Sequence, residues 1–224
     1  MNAAQGCKNE LDNFQKTLLS RKKEILPHLE NYLQIAGRGY SHLGLTAIYE
    51  IAVLEIPFSI WQHGNGCSAI EYSLSDPKEL FEEMKSCLRG WFMTDEVFER
   101  INPYHYQALT ELGHYCYPVS RFSQLLETDF EKLTPVHPIP EIKTPYSNET
   151  MAQMKVWAES EGEQIIYISG GNDPYSKRRV IPKNNLDALN LLLKDSNHNE
   201  VFSSNLDSET LKQITELVRE WMVD

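Results

Sequence analysis

The sequence predicts an α/β chain in two parts, a large helical region followed by the last strands of a parallel sheet. Two observations predict it. Apolar residues recur at helical spacing through the first part, and after a proline-rich stretch the pattern becomes helix, strand, loop, strand, loop, helix. The expected division is a mostly helical region over 1–132, a linker over 133–150 and an α/β segment over 151–224.

Leu11, Phe14, Leu18, Ile25, Leu29 and Tyr32 recur at three, four or seven residues and form one apolar stripe. Pro27 is expected to kink or break this helix. A second apolar helix is expected over Leu45 to Trp61, bent or ended by Pro57. Ser75-Asp76-Pro77-Lys78-Glu79 is a helix start, with Asp76 as cap, Pro77 in the first turn and Glu79 able to reach back. Leu80, Phe81, Met84 and Leu88 then form the buried face. A short helix through Tyr104 to Leu112 should stop at Gly113. Pro135, Pro138, Pro140 and Pro145 mark the linker.

Beyond the linker, Met151 to Ala158 reads as helix. Gln164-Ile165-Ile166-Tyr167-Ile168-Ser169 is a β-branched run ended by Gly170-Gly171 and reads as a buried strand. Leu189 to Leu193 is a second strand, and Leu211, Ile214, Val218 and Trp221 stripe a closing helix. Parallel strands are ordinarily buried within a larger sheet, so the remaining strands are expected on sequence outside this chain.

Composition narrows the function classes. The 224 residues carry a net charge of -11, with a pI near 5.1. Such a surface repels nucleic acid and anionic membranes, so neither is an expected partner. No apolar run approaches the roughly 20 residues of a membrane span, and MNAAQGCKNELDNF lacks the apolar core of a signal peptide. Cys7, Cys67, Cys87 and Cys116 fit no CxxC metal site. Four cysteines leave three disulfide connectivities open, beside the alternative of buried free thiols.

Asp173 and His198 carry the chemical signal. Asp173 follows the first strand in Ser169-Gly170-Gly171-Asn172-Asp173-Pro174. His198 follows the second in Asp195-Ser196-Asn197-His198. Open α/β sheets bind ligands at C-terminal strand ends, and α/β-hydrolases order their triad Ser, then Asp or Glu, then His. A carboxylate there holds one imidazole nitrogen so that the other can take the serine proton. Singly, Asn-Asp-Pro is ordinary turn chemistry and a loop histidine is ordinary surface. No G-x-S-x-G elbow precedes Asp173. The nearest segment, Gly39-Tyr40-Ser41-His42-Leu43, lacks the second glycine and follows a helical pattern, so Ser41 is not expected to be a nucleophile.

Tyr49-Glu50-Ile51-Ala52-Val53-Leu54-Glu55-Ile56-Pro57-Phe58-Ser59-Ile60-Trp61-Gln62 resembles the lid signature of secreted prolyl tri- and tetrapeptidyl aminopeptidases, a family of serine peptidases with the α/β-hydrolase fold. Tyr106-Gln107-Ala108-Leu109-Thr110-Glu111-Leu112-Gly113 is similar to that family's second lid signature. Ile166-Tyr167-Ile168 leading to Asp173-Pro174-Tyr175-Ser176 resembles its acid loop, which usually has Trp where this chain has Tyr175. Asn197 and Asn199 flank His198 where the family favours glycine. The resemblance implies a partial α/β-hydrolase under a large helical lid, releasing short peptides from free N-termini. It implies Asp173 as triad acid, His198 as triad base, and no metal or organic cofactor. It also implies a serine on an upstream catalytic half, on the same gene product or a separate chain, so that this chain by itself is expected to be inactive. A secreted or periplasmic location follows from the family.

An aminopeptidase must hold an ammonium group, for which Glu111 is the candidate carboxylate, with Gln107 and Tyr106 lining the same pocket. Trp61 and Phe58 are expected to be lid core. Two other readings stand beside this one: a non-catalytic peptide-binding protein derived from such an enzyme, or a truncated fragment exposing a sheet edge.

Overall fold

The apolar stripe of the first part forms two helices, α1 (Gln5–Ser20) and α2 (Lys22–Ile35), in a computed structural model that describes residues 5–64, 66–113, 117–130, 145–201 and 206–223. The chain turns at Arg21 rather than at Pro27, and α2 runs on through the proline. The lost backbone hydrogen bond and ring clash cost about 3 kcal/mol. Against that, Ile25, Leu29 and Leu33 are all fully buried along one face of α2, each stabilising by about 1.5–3 kcal/mol.

α3 (Leu45–His63) likewise passes through Pro57 instead of ending there. Every residue from Ala47 to Ile56 is buried. A helix apolar all round is a central helix. Its buried polar groups are answered from other elements. Glu50 pairs with buried Lys22 of α2, and its carboxylate accepts the N–H of Glu127 at 2.8 Å and of Thr128 at 2.9 Å. The Tyr49 hydroxyl donates to Leu18 O at 2.9 Å, and Gln15 donates to Val53 O at 2.8 Å.

α4 (Pro77–Cys87) starts as its sequence dictates: the Asp76 carboxylate accepts from the N–H groups of Lys78 and Glu79. Leu80, Phe81 and Met84 are its buried face. α5 (Asp95–Gln107) begins well before Tyr104, at a Thr94-Asp95-Glu96 start, and Pro103 lies inside it. It continues as a π-helical turn, Ala108–Leu112, and stops at Gly113, whose φ of 79° needs no side chain. Cys7 and Cys67 form a disulfide, Cα atoms 5.6 Å apart. Cys87 is reduced, its thiol pushed up to about 12 by burial with a further contribution from Glu83. Cys116 and prolines 135, 138 and 140 of the expected linker lie outside the described residues.

α6 (Glu149–Ser160) begins inside the expected linker range. β1 (Ile165–Gly170) and β2 (Ala188–Leu193) pair in parallel, with Ile165 opposite Ala188 and Gly170 opposite Leu193. α7 (Ser208–Trp221) closes the chain, capped by the Asp207 carboxylate on the N–H groups of Glu209 and Thr210.

The chain divides into two compact units. One is helical, residues 2–60 and 65–148. The other is α/β and takes Trp61–Gly64 from the end of α3 together with Glu149–Asp224. The helical unit holds nearly all the buried apolar side chains, among them Leu18, Ile48, Ile51, Phe92 and Phe122. In the α/β unit no residue of α7 is buried, and Met154, Val156, Trp157 and Leu192 are each about half exposed or more. The chain is thus mostly helical with a two-stranded parallel sheet among the described residues, compatible with part of an α/β fold. No described helix is long and apolar enough to cross a membrane.

Candidate active site

Asp173 and His198 meet at the C-terminal ends of the two strands. The Asp173 carboxylate performs two jobs with its two oxygens. Oδ1 accepts the N–H of Tyr175 at 2.9 Å, capping the 3₁₀ turn Pro174–Arg178, while Oδ2 lies 2.8 Å from His198 Nδ1. The turn chemistry legible in Asn172-Asp173-Pro174 and the histidine contact therefore coexist in one side chain. Asp173 is only 7% exposed, whereas the His198 side chain is 38% exposed. A carboxylate only accepts, so Nδ1 carries the proton toward Asp173.

The two loops that carry this pair are stitched by their backbones. Gly171 N–H donates to Leu193 O at 2.8 Å, and Asn172 N–H to Ser196 O at 2.9 Å. The Asn172 side-chain amide donates to Asp195 O at 2.8 Å. Gly170-Gly171 does more than end a strand. A Cβ on Gly170 would stand 2.5 Å from Ser196 O, and one on Gly171 would run into Lys194 O. Both obstructing atoms are backbone, so only glycine lets the histidine loop approach.

Asn197 and Asn199 are structural parts of that loop. Buried Asn197 accepts the N–H of Asn199 through Oδ1 at 2.9 Å, while its own N–H donates to Glu200 Oε2 at 2.7 Å. This reciprocal cap starts the 3₁₀ turn His198–Val201.

His63, at the end of α3, is a site neighbour that no local sequence signal marks. Its Nδ1 lies 3.3 Å from Asn199 Oδ1, and its ring meets His198 edge-on with centroids 6.0 Å apart. Asn197 also donates to Gly64 O at 3.2 Å, so the end of α3 is tied to the histidine loop at two points. The Tyr175 ring lies 6.0 Å from His198, tilted by 55°.

The other candidates belong to the helical unit. Tyr106 and Gln107 are exposed at the end of α5, and Glu111 is half-buried in the π turn. Thr110 Oγ1 donates to Tyr106 O at 2.9 Å within that segment. Ser41 donates its hydroxyl to Asp95 Oδ2 at 2.7 Å in the turn between α2 and α3. No described group of three His, Cys, Asp or Glu side chains is arranged to hold a metal ion.

What this arrangement can do is hold a partly exposed imidazole in one orientation and tautomer. Compared with known proteins, the chain is 24% identical over 175 residues to the prolyl tri/tetrapeptidyl aminopeptidase of Streptomyces mobaraensis, a match covering 77% of this chain and 37% of that protein. No family model and no solved structure matches it. The chain spans little more than a third of that aminopeptidase's length and is distantly related to it.

Proposed function

We propose that this chain supplies the lid, the triad acid and the triad base of a serine exopeptidase that releases short peptides from free N-termini. The observation that carries the reading is the 2.8 Å contact between Asp173 and His198 at the ends of two parallel strands. The half-exposed apolar side chains of the α/β unit support its completion by further strands. A distant aminopeptidase relative of much greater length supports the same view.

In this mechanism the nucleophilic serine comes from a segment bearing a G-x-S-x-G elbow, on the same polypeptide or another. His198 Nε2 takes the serine proton as the oxygen attacks the scissile carbonyl. Asp173 stabilises the imidazolium, and backbone N–H groups near the serine hold the oxyanion. The same proton then passes to the leaving amine, and water repeats the cycle on the acyl-enzyme. Glu111, with Gln107 and Tyr106, is assigned to the substrate's ammonium end. The Cys7–Cys67 disulfide supports an oxidising, extracytoplasmic location.

A serine-reactive fluorophosphonate tests the proposal. The chain alone should not label. Combined with the elbow-bearing segment it should label, and Asp173→Asn should slow labelling by on the order of 10⁴-fold. Absence of labelling in every combination, with peptide binding retained, would overturn the catalytic reading in favour of a peptide-binding protein.

A further inference from the structure

Two helix ends of the helical unit share one motif and face one cavity. α2 ends at Ala36, with Gly37 N–H donating to Gln34 O and Arg38 N–H to Leu33 O. α4 ends at Leu88, with Arg89 N–H donating to Ser86 O and Gly90 N–H to Lys85 O. Both are Schellman endings, which require a left-handed residue just past the cap. In the first that residue is Gly37, with φ 64°. In the second it is Arg89, with φ 54°, although Gly or Asn would sit there without strain. Arg89 and Gln164 are the non-glycine residues with positive φ among those described.

Arg89, Arg38 and Arg100 of α5 line a cavity of about 530 Å³ with Trp91 and Val97. Among the described residues none of the three guanidinium groups is paired with a carboxylate. Arg38 donates to Gly90 O at 3.3 Å and lies over the Tyr32 ring, 5.9 Å from its centroid, with no carboxylate partner among the described residues. Glu96 also lines the cavity, its Oε1 accepting Gly39 N–H at 2.9 Å, so the lining sets three guanidinium groups against one carboxylate. In a chain of net charge -11, this is a local concentration of positive charge. Complementing the two helix ends would explain arginines at 38 and 89. It explains neither a strained Arg89 where glycine fits nor Arg100 within α5.

We propose that this cavity is a binding site for a small ligand bearing an oxyanion, phosphate or carboxylate, gripped by the guanidinium forks of Arg38, Arg89 and Arg100. Planar guanidinium matches such groups in bidentate fashion. Trp91 and Val97 offer an apolar wall to an organic body. The site is independent of the peptidase reading, and either can fail without the other.

The test is a titration of the full 224-residue chain, followed by backbone amide shifts. Inorganic phosphate and N-acetylleucine are the probes, with sodium chloride at equal ionic strength as reference. Saturable shifts at Gly37, Gly90 and Trp91 are expected. Tighter binding of phosphate would identify the free ion as the chemistry held, and tighter binding of N-acetylleucine an organic carboxylate. Arg38→Gln and Arg100→Gln should each weaken binding about tenfold. Arg89→Gly should weaken it similarly while leaving Tm unchanged or higher, because glycine relieves the left-handed backbone. Shifts that chloride reproduces would overturn the proposal. So would an Arg89→Gly variant with undiminished affinity, whether or not its Tm falls.

Discussion

Asp173 shows how one side chain can satisfy a local and a distant demand together. Its Oδ1 closes a turn two residues away, and its Oδ2 holds an imidazole from the next loop. The backbone that brings the loops together is as specific as the reactive pair. A methyl at Gly171 meets the backbone carbonyl of Lys194, the residue just past the end of β2. Gly171→Ala is therefore expected to cost on the order of 1–3 kcal/mol and to part His198 from Asp173. Urea unfolding reads the first effect. Loss of a downfield Nδ1 proton resonance for His198 reads the second, and its persistence would show that the loop tolerates the methyl.

At the scale of elements, α3 depends on a buried charge for its place. Glu50 is fully buried and has no solvent to answer it, so Lys22 and the N–H groups of Glu127 and Thr128 do so. Burial pushes the Glu50 carboxyl up, but these partners more than offset that and hold it below its ordinary value. A carboxyl depressed on folding stabilises the protein above its unfolded pKa, near 4.3. That contribution is lost as pH falls through the lower folded value. Glu50→Gln removes the buried counter-charge of Lys22, leaving it the more exposed Glu127 carboxylate at 3.2 Å, and should cost about 3 kcal/mol at neutral pH, with a flatter acid limb in the stability profile. Adding Lys22→Met should recover part of the loss, because the buried ammonium goes with it. Thermal unfolding of the single and double variants between pH 3 and pH 7 checks both.

For the molecule as a whole, the two units differ in how they are stabilised. The helical unit has a core and a disulfide spanning 60 residues. Closing a loop of that length stabilises by about 4 kcal/mol through the unfolded chain. Cys7→Ser or a reductant should lower the melting temperature of the helical unit accordingly, as scanning calorimetry would show, with no comparable shift in the α/β unit. The α/β unit has a two-stranded sheet among the described residues, with Leu192, Trp157 and Val156 about half exposed or more.

What the sequence determined by itself was local. Period and turn chemistry suffice where an element's partners lie within a few residues. The cap at Asp76, the stop at Gly113 and the two strands with their glycine ending are of that kind. The placement of Asp173 and His198 after successive strands was legible too, since parallel strands align their C-terminal ends. The tertiary structure decided whatever depended on summed burial or on pairs remote in sequence. Helices run through Pro27 and Pro57 because the faces they bury outweigh a local cost of about 3 kcal/mol. α5 starts at Asp95 although Pro103 lies within it. The choice of Cys67 for Cys7, Lys22 for Glu50 and His63 for Asn199 has no period to betray it. Such pairs are fixed only when distant segments pack and each buried polar group must find a partner.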